Sequence, residues 1–351
     1  MSTHLSSQHP DSYNRQIAYW LITCAAVIFG MILLGGVTRL TDSGLSMVDW
    51  KPIKGVIPPI TQADWQAMFL KYQQFPEYQK TNFTMTLEQF KPIFMYEYLH
   101  RMLGRFIGII FVLPFLFFYF TKRIKPGLSP RLLVMLVLGG SQGLLGWYMV
   151  KSGLVDNPHV SQYRLTAHLG MAVFIYGFIF WTVLDLMAPV SAQPKHLKRF
   201  AYSLSGLIFL MILSGGLVAG TRAGIPYPTW PLMGDSFIPP GLYSLQPMWL
   251  SAFEDMLTIQ FNHRMFAYLI VGLVCTFAYK ALKSDLQGPL KMGIYCFIGL
   301  LFLQISLGIS TLIFYIPVPV AAAHQVCAVA LLSASLFVSH SFTRQSISTR
   351  P

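Results

Sequence analysis

Eight apolar stretches, each about 20 residues long, punctuate the chain near 17–37, 94–121, 131–151, 163–186, 200–219, 256–280, 291–315 and 319–341. No other feature restricts the fold as strongly. Segments of this length and apolarity cross the hydrocarbon core of a bilayer as helices, because lipid offers no partner to an unpaired backbone N–H or C=O. Only 11% of the 351 residues are charged and 54% are hydrophobic, whereas soluble domains carry about a quarter charged residues. The expected fold is an all-α integral membrane protein with eight transmembrane helices. The net charge of +12 then reflects topology and contact with anionic membrane lipid. No basic, aromatic-interleaved pattern supports nucleic-acid binding.

Lysine and arginine set the orientation. Lys122, Arg123, Lys125 and Arg131 follow the second stretch, Lys195, Lys198 and Arg199 the fourth, and Lys280, Lys283 and Lys291 the sixth. The positive-inside rule makes these loops cytoplasmic, together with the leader 1–16 and the tail 344–351. The leader has neither a cleavage site nor the arginines of a transit peptide, so a bacterial cytoplasmic (inner) membrane is expected. The long connections 38–93 and 220–255 must then lie outside. Within the first, Thr61 and Asp64 form a capping-box pattern, and Trp65, Met68, Phe69 and Tyr72 share one face of a helix expected over the outer mouth of the bundle. Cys24, Cys275, Cys296 and Cys327 stand singly in apolar segments and read as packing residues.

The chain repeats itself. Gly35-Gly36 with Thr38-Arg39 is echoed by Gly215-Gly216 with Thr221-Arg222, Tyr98-Leu99-His100-Arg101-Met102 by Phe261-Asn262-His263-Arg264-Met265, Gln142 and Gly146 by Gln304 and Gly308, and His168 by His324. The matches keep their order, which predicts two pseudo-symmetric four-helix bundles, 17–190 and 191–343. An even number of helices per half makes the copies parallel, related by an axis along the membrane normal.

His100, His168, His263 and His324 all fall within about two turns of the outer ends of their helices, and so at similar depth. An ionisable side chain within a spanning helix usually faces the interior for a reason. Two parallel helices presenting imidazoles at one level form a clamp for a planar group whose metal has two axial positions, as heme iron has. Pairing His100 with His168 and His263 with His324 gives one heme-sized site per half. A zinc or copper cluster lacks accompanying cysteine or carboxylate. A di-iron site would match the Glu97-x-x-His100 spacing but needs more helical carboxylates than the chain offers. Arg39, Arg101, Arg222 and Arg264 lie at the outer face, where guanidinium groups could meet heme propionates or lipid headgroups. The remaining histidines, His4, His9, His159, His196 and His340, read as surface or interfacial. The second copy keeps the histidine, arginine and methionine but replaces the acid: Glu97 in the first half is Gln260 in the second.

These motifs, with Gly35-Gly36-Val37-Thr38-Arg39-Leu40-Thr41-Asp42-Ser43-Gly44-Leu45-Ser46, Glu97-Tyr98-Leu99-His100-Arg101-Met102, Gln142-Gly143-Leu144-Leu145-Gly146 and Ala323-His324-Gln325, resemble those of the heme A synthase family. The chain departs from some members in having no cysteine pair between Thr38 and Ile93. The resemblance implies oxidation of a methyl group of heme O to the formyl group of heme A, for cytochrome oxidase. It further implies that His263 and His324 are axial ligands of a resident heme b, that His100 and His168 frame the substrate heme, and that Glu97 is the catalytic carboxylate. Implied partners are heme O, heme O synthase (protoheme farnesyltransferase) and cytochrome oxidase assembly factors, and a homo-oligomer is compatible with the pattern. Two rounds of hydroxylation with oxygen from water would suit a carboxylate beside the reacting carbon. The competing readings are a b-type cytochrome that passes electrons from quinol, and a heme carrier; neither accounts for the difference between Glu97 and Gln260.

Overall fold

A computed structural model describes residues 11–49, 54–153, 160–187, 195–284, 286 and 288–342. The expected leader up to residue 10, the tail 344–351, and His4, His9 and His159 lie outside the described residues. Eleven α-helices follow in order: α1 (Asp11–Leu40), α2 (Gln62–Tyr72), α3 (Pro76–Lys80), α4 (Leu87–Phe120), α5 (Leu128–Gly153), α6 (Gln162–Met187), α7 (Lys195–Thr221), α8 (Ser251–Glu254), α9 (Met256–Leu282), α10 (Pro289–Ile313) and α11 (Val318–Ser341). Eight of them, all but α2, α3 and α8, are long and apolar enough to cross a membrane, and no strand occurs among the described residues. The chain is an all-α integral membrane protein.

Helix α4 begins about two turns before its apolar stretch. Thr86 and Gln89 form a capping box there, and the extra turns carry Phe90 and Phe94, which pack with Trp65, Phe69 and Tyr72 of α2. This corrects the depth expected for His100, which lies nearly four turns into its helix rather than two. Apolarity marks where lipid begins, whereas an aromatic face packed on a loop helix extends the helix beyond it. The Thr61–Asp64 capping box forms as expected at the start of α2.

The inner helices α1, α6, α7 and α11 contact one another, with α6 touching α7 and α11, and α1 touching α6 and α11. Around them α4 packs on α1 and α5, α5 on α6, α9 on α7 and α10, and α10 on α11. Exchanging the first four spanning helices for the last four maps each of these pairs onto another pair or onto itself. The core is nonetheless shared: one cluster of buried apolar residues draws on all eight helices. Its members come from the start of α1 (Ile17 to Ile32), the end of α4 (Phe111 to Phe118), the start of α5, the later part of α6, the start of α7, the end of α9, the start of α10 and the end of α11. Because the helices alternate in direction, all of these lie at the end of the bundle away from the two long loops. The four singled-out histidines lie at the loop end.

Two readings of isolated residues change. His340 is 2% exposed, its Nε2 2.9 Å from Asp185 Oδ1, so it is a buried tie between α11 and α6 instead of a surface residue. Cys24 and Cys327 pack inside, but Cys275 and Cys296 lie on outward helix faces.

Candidate functional site

Each of the four histidines rests edge-on against a glycine of a neighbouring helix. A Cβ at Gly35 of α1 would stand 3.0 Å from His100 Cε1, at Gly146 of α5 2.8 Å from His168 Cε1, at Gly215 of α7 3.4 Å from His263 Cε1, and at Gly308 of α10 2.8 Å from His324 Cε1. Carbon atoms prefer roughly 3.5–4.0 Å, so a side chain at Gly35, Gly146 or Gly308 would push the imidazole aside, while Gly215 leaves ordinary contact. The second glycine of each pair has another duty. A Cβ at Gly36 would collide with Gln325 Oε1 of α11, and one at Gly216 would stand 2.9 Å from Thr166 Oγ1 of α6. The double-glycine motif thus seats a histidine with its first residue and brings the opposite half close with its second.

His100 and His168 are electrostatic neighbours, as are His263 and His324. In both halves a glutamine amide nitrogen faces the Nε2 of the fourth-helix histidine, at 3.5 Å for Gln142 and His168 and 3.4 Å for Gln304 and His324. The two pairs differ at Nδ1. His263 Nδ1 is 3.0 Å from Ser214 Oγ, and His324 Nδ1 donates to the Gln304 carbonyl at 3.1 Å. Nδ1 of His100 and of His168 are buried without a protein partner. A hydrogen bond at Nδ1 fixes ring orientation and leaves Nε2 as the nitrogen offered to a metal.

The position that differs between halves anchors a long loop in both. Glu97 is 3% exposed; its Oε2 accepts from Ser46 Oγ at 2.8 Å and from the Met47 N–H at 2.7 Å, and its Oε1 accepts from Arg101 at 2.5 Å. Arg101 also donates to the carbonyls of Met47 at 2.8 Å and Asp49 at 3.2 Å. In the second half Gln260 Nε2 donates to the Tyr227 carbonyl at 3.1 Å, and Arg264 donates to Tyr227 and Leu232 carbonyls at 3.0 and 3.2 Å. Arg39 donates to the Ala219 carbonyl at the end of α7, at 2.9 Å, and pairs with Asp42, which also pairs with Arg222 at 2.6 Å. All four arginines singled out at the outer face therefore bind protein groups: Arg101 and Arg264 hold loops, and Arg39 and Arg222 join the ends of α1 and α7.

The donor set fits a planar metal group bound by two imidazoles per half. The glycine cradles admit edge-on rings, and the buried polar atoms without protein partners, among them Gln142 Oε1, Thr166 Oγ1 and Gln304 Oε1, gather at the histidine end. Among the described residues no group of three or more His, Cys, Asp or Glu side chains converges. Sequence reasoning did not find Ser214, which carries no local signal, and met Ser46 only as the end of the motif that begins at Gly35. The repeated glycines did carry one, but their partners lie on other helices.

Comparison with known proteins identifies the family. The chain is 50% identical over 336 residues to a heme A synthase of Nitrosospira multiformis, with 94% of each chain covered. It is 46% identical to a heme A synthase of Nitrosomonas eutropha, covering 96% of this chain and 99% of that one. It is 42% identical to human heme A synthase COX15, covering 94% of this chain and 83% of the human one. A family model described as COX15-CtaA, cytochrome oxidase assembly protein, matches residues 18–336, and the chain belongs to this family.

Proposed function

We propose that the protein oxidises a methyl substituent of heme O to the formyl group of heme A, with His100 and His168 framing the substrate and His263 and His324 holding a resident heme b. The observation that carries the division is the inequality of two otherwise matching pairs. Only the second-half histidines have Nδ1 oriented by the protein, as suits ligands of a group that stays. Only the first half has a carboxylate, Glu97, one helical turn from its histidine. The halves 17–190 and 191–343 are accordingly read as the substrate half and the resident-cofactor half.

Heme b, when bound, supplies one-electron relay. Glu97 takes the proton that leaves the methyl group and orients the water whose oxygen enters, with Ser46, the Met47 N–H and Arg101 holding its carboxylate in place. Each of two rounds adds one water oxygen and removes two electrons and two protons. The product is a hydrated aldehyde, which loses water to give the formyl group. Arg101 and Arg264 keep the outer loops closed over the two sites, excluding bulk water. The protein sits in a bacterial inner membrane with both termini cytoplasmic and the histidine pairs toward the outer face. Heme O synthase would hand over the substrate, and cytochrome oxidase assembly factors would receive the product.

Glu97→Gln tests the reading. The variant is expected to bind heme b normally while cells accumulate heme O and the hydroxymethyl intermediate, measured by chromatography of extracted hemes. Unchanged heme A would remove Glu97 from the chemistry, and heme-b-loaded wild-type protein that leaves heme O untouched would favour the plain cytochrome.

A further inference from the structure

Two seams related by the repeat join the halves, α6 against α7 and α11 against α1. In the second, Gln325 closes the gap: its amide nitrogen donates to the Ile32 carbonyl at 2.7 Å, and its Oε1 lies against Gly36. The repeat puts Leu169 where Gln325 stands, and the seam of α6 and α7 holds a groove of about 680 Å³, within the roughly 300–1,000 Å³ of small-molecule sites. Its deeper end runs along Met171, Phe174, Phe209 and Leu210, and Phe174 and Leu210 stand half exposed on the outside of the bundle, where lipid lies. At the loop end Tyr163 and Phe253 border it. There the Tyr163 hydroxyl and the Gln162 amide donate to Glu254, at 2.5 and 2.8 Å. That tie joins α6 to α8 and leaves the lipid side as the way in. Two hydroxyl residues, Thr166 and Ser214, line the groove. Thr182, Ser205 and Thr221 on the same two helices bond the carbonyl four residues back, as hydroxyls in apolar helices do. Thr166 Oγ1 is instead buried without a protein partner, and Ser214 Oγ lies 3.0 Å from His263 Nδ1. When His263 offers Nε2 to a metal, Nδ1 carries the hydrogen and donates to Ser214, so the serine's own hydrogen is left for an acceptor. No charged side chain is among the described residues lining the groove, so an anionic headgroup has nothing to pair with there.

We propose that this groove binds an isoprenoid quinone of the membrane, with its ring toward Ser214 and Thr166 and its tail along Phe174 and Leu210, as the acceptor of the electrons released by heme O oxidation. This rests on the function proposed above, whose chemistry releases electrons that must leave the protein. A quinone is neutral, arrives from lipid, carries an apolar chain and presents carbonyl oxygens to hydroxyl donors. Ser214 bonded to one of those oxygens places the ring within one hydroxyl of His263. Each round of the oxidation releases two electrons and two protons, and a quinone takes up two of each. Its two ring C=O bonds become C–OH as the ring turns aromatic, so two quinones are reduced for each formyl group made.

The test uses purified, heme-b-loaded protein without heme O, so that binding is read apart from conversion. Azido derivatives of a short-chain ubiquinone and a short-chain menaquinone are photo-crosslinked and the labelled peptides mapped by mass spectrometry. In parallel, reoxidation of chemically reduced heme b by the unmodified quinones is followed by its absorbance. Label is expected on α6 and α7, displaced by unmodified quinone and not by farnesol, which has an isoprenoid chain but no ring. Leu210→Trp fills the apolar end of the groove and should weaken labelling by roughly 5- to 150-fold and slow reoxidation, with the heme b spectrum unchanged. Thr166→Val keeps the shape but loses the hydroxyl, and labelling should fall roughly 2- to 10-fold, with Thr166→Ser restoring it. Label from both quinones outside α6 and α7, or a Leu210→Trp protein that is labelled and reoxidised like the wild type, overturns the proposal. Equal displacement by farnesol also overturns it, and assigns the groove to an isoprenoid chain alone. If Leu210→Trp loses heme b, Thr166→Val decides, and unchanged labelling there overturns it. Wild-type protein that takes the label but converts no heme O keeps the quinone site and defeats the proposed function; protein that converts heme O without taking the label defeats the quinone site alone.

Discussion

On the proposed division of the sites, the contact between Gly308 and His324 makes a quantitative prediction for heme b binding. In Gly308→Ala the new Cβ would stand 2.8 Å from His324 Cε1, about 0.7 Å inside ordinary carbon–carbon contact. Either the ring retreats or α10 moves away from α11. Overpacking of this kind costs about 1–3 kcal/mol. The unligated ring can swing away and avoid most of that cost, whereas a ring fixed to a metal cannot. The penalty therefore falls on the loaded state and should weaken heme b binding by roughly 5- to 150-fold. Gly215→Ala is the internal control: its Cβ would lie 3.4 Å from His263 Cε1, and the loss should be a small fraction of that for Gly308→Ala. Gly146→Ala has the same 2.8 Å approach, but to His168, and should leave heme b in place while impairing conversion of heme O. The assay is heme b content from the reduced-minus-oxidised spectrum, with the rate of heme transfer to a scavenging apoprotein. Full retention in Gly308→Ala would refute the argument from contact geometry. Equal loss of heme b in Gly146→Ala and Gly308→Ala would refute the division of the two sites.

Three further expectations follow from the same contacts. His263→Ala or His324→Ala should abolish most of the heme b spectrum while His100→Ala or His168→Ala leaves it largely intact, and equal loss from all four would sink that assignment. Arg264→Ala removes donors to the Tyr227 and Leu232 carbonyls; with each bond to a charged group worth about 1.5–3 kcal/mol, protease should cut the second outer loop much faster than in the wild type, and an unchanged cutting rate would deny the anchoring role. Burial on α3 raises the folded pKa of Glu77 to about 8, so the folded loop binds more protons than the opened one between the ordinary carboxyl value and about 8. Stability of the first outer loop should accordingly fall as pH rises through that window, by at most about 1.4 kcal/mol per pH unit, and Glu77→Gln should remove the slope; hydrogen exchange of residues 61–82, corrected for intrinsic rates, reads this directly, and a slope surviving in the variant would assign it elsewhere.

Much of the architecture was legible because lipid imposes a simple code: long apolar runs are helices, and their number and order follow directly. The code fails where the chain leaves the bilayer. Residues 87–93 mix polar and aromatic types, so the outward extension of α4 was missed, and with it the true distance of His100 from its helix start. His340 was misjudged because its partner, Asp185, lies on another helix; proximity to the chain end suggested exposure that packing does not permit. The four histidines stood out by repetition, and the structure sets each against a glycine of a neighbouring helix. Their glycine seats were visible only as unexplained motifs, because a glycine chosen for close approach looks the same in sequence whatever approaches it. Ser214 carried no sequence signal, since one serine in an apolar helix bonds its own backbone as readily as a neighbouring imidazole.

The difference between Glu97 and Gln260 gains meaning from what the two residues share. Both are buried next to a helical arginine four residues on, and both bind the outer loop that covers their half. The second half does this with an amide, so holding a loop needs no negative charge at this position. A carboxylate there must be buried and paired, which seldom adds stability over a neutral group of the same shape. On the proposed function, the charge at Glu97 is surplus to the structural duty and serves the chemistry. The same comparison says that Glu97→Gln should fold: the protein already builds an amide into this scaffold once. A Glu97→Gln protein that failed to insert or to bind heme b would mean that the first loop, unlike the second, depends on the Arg101 ion pair, and the argument from the repeat would fail with it.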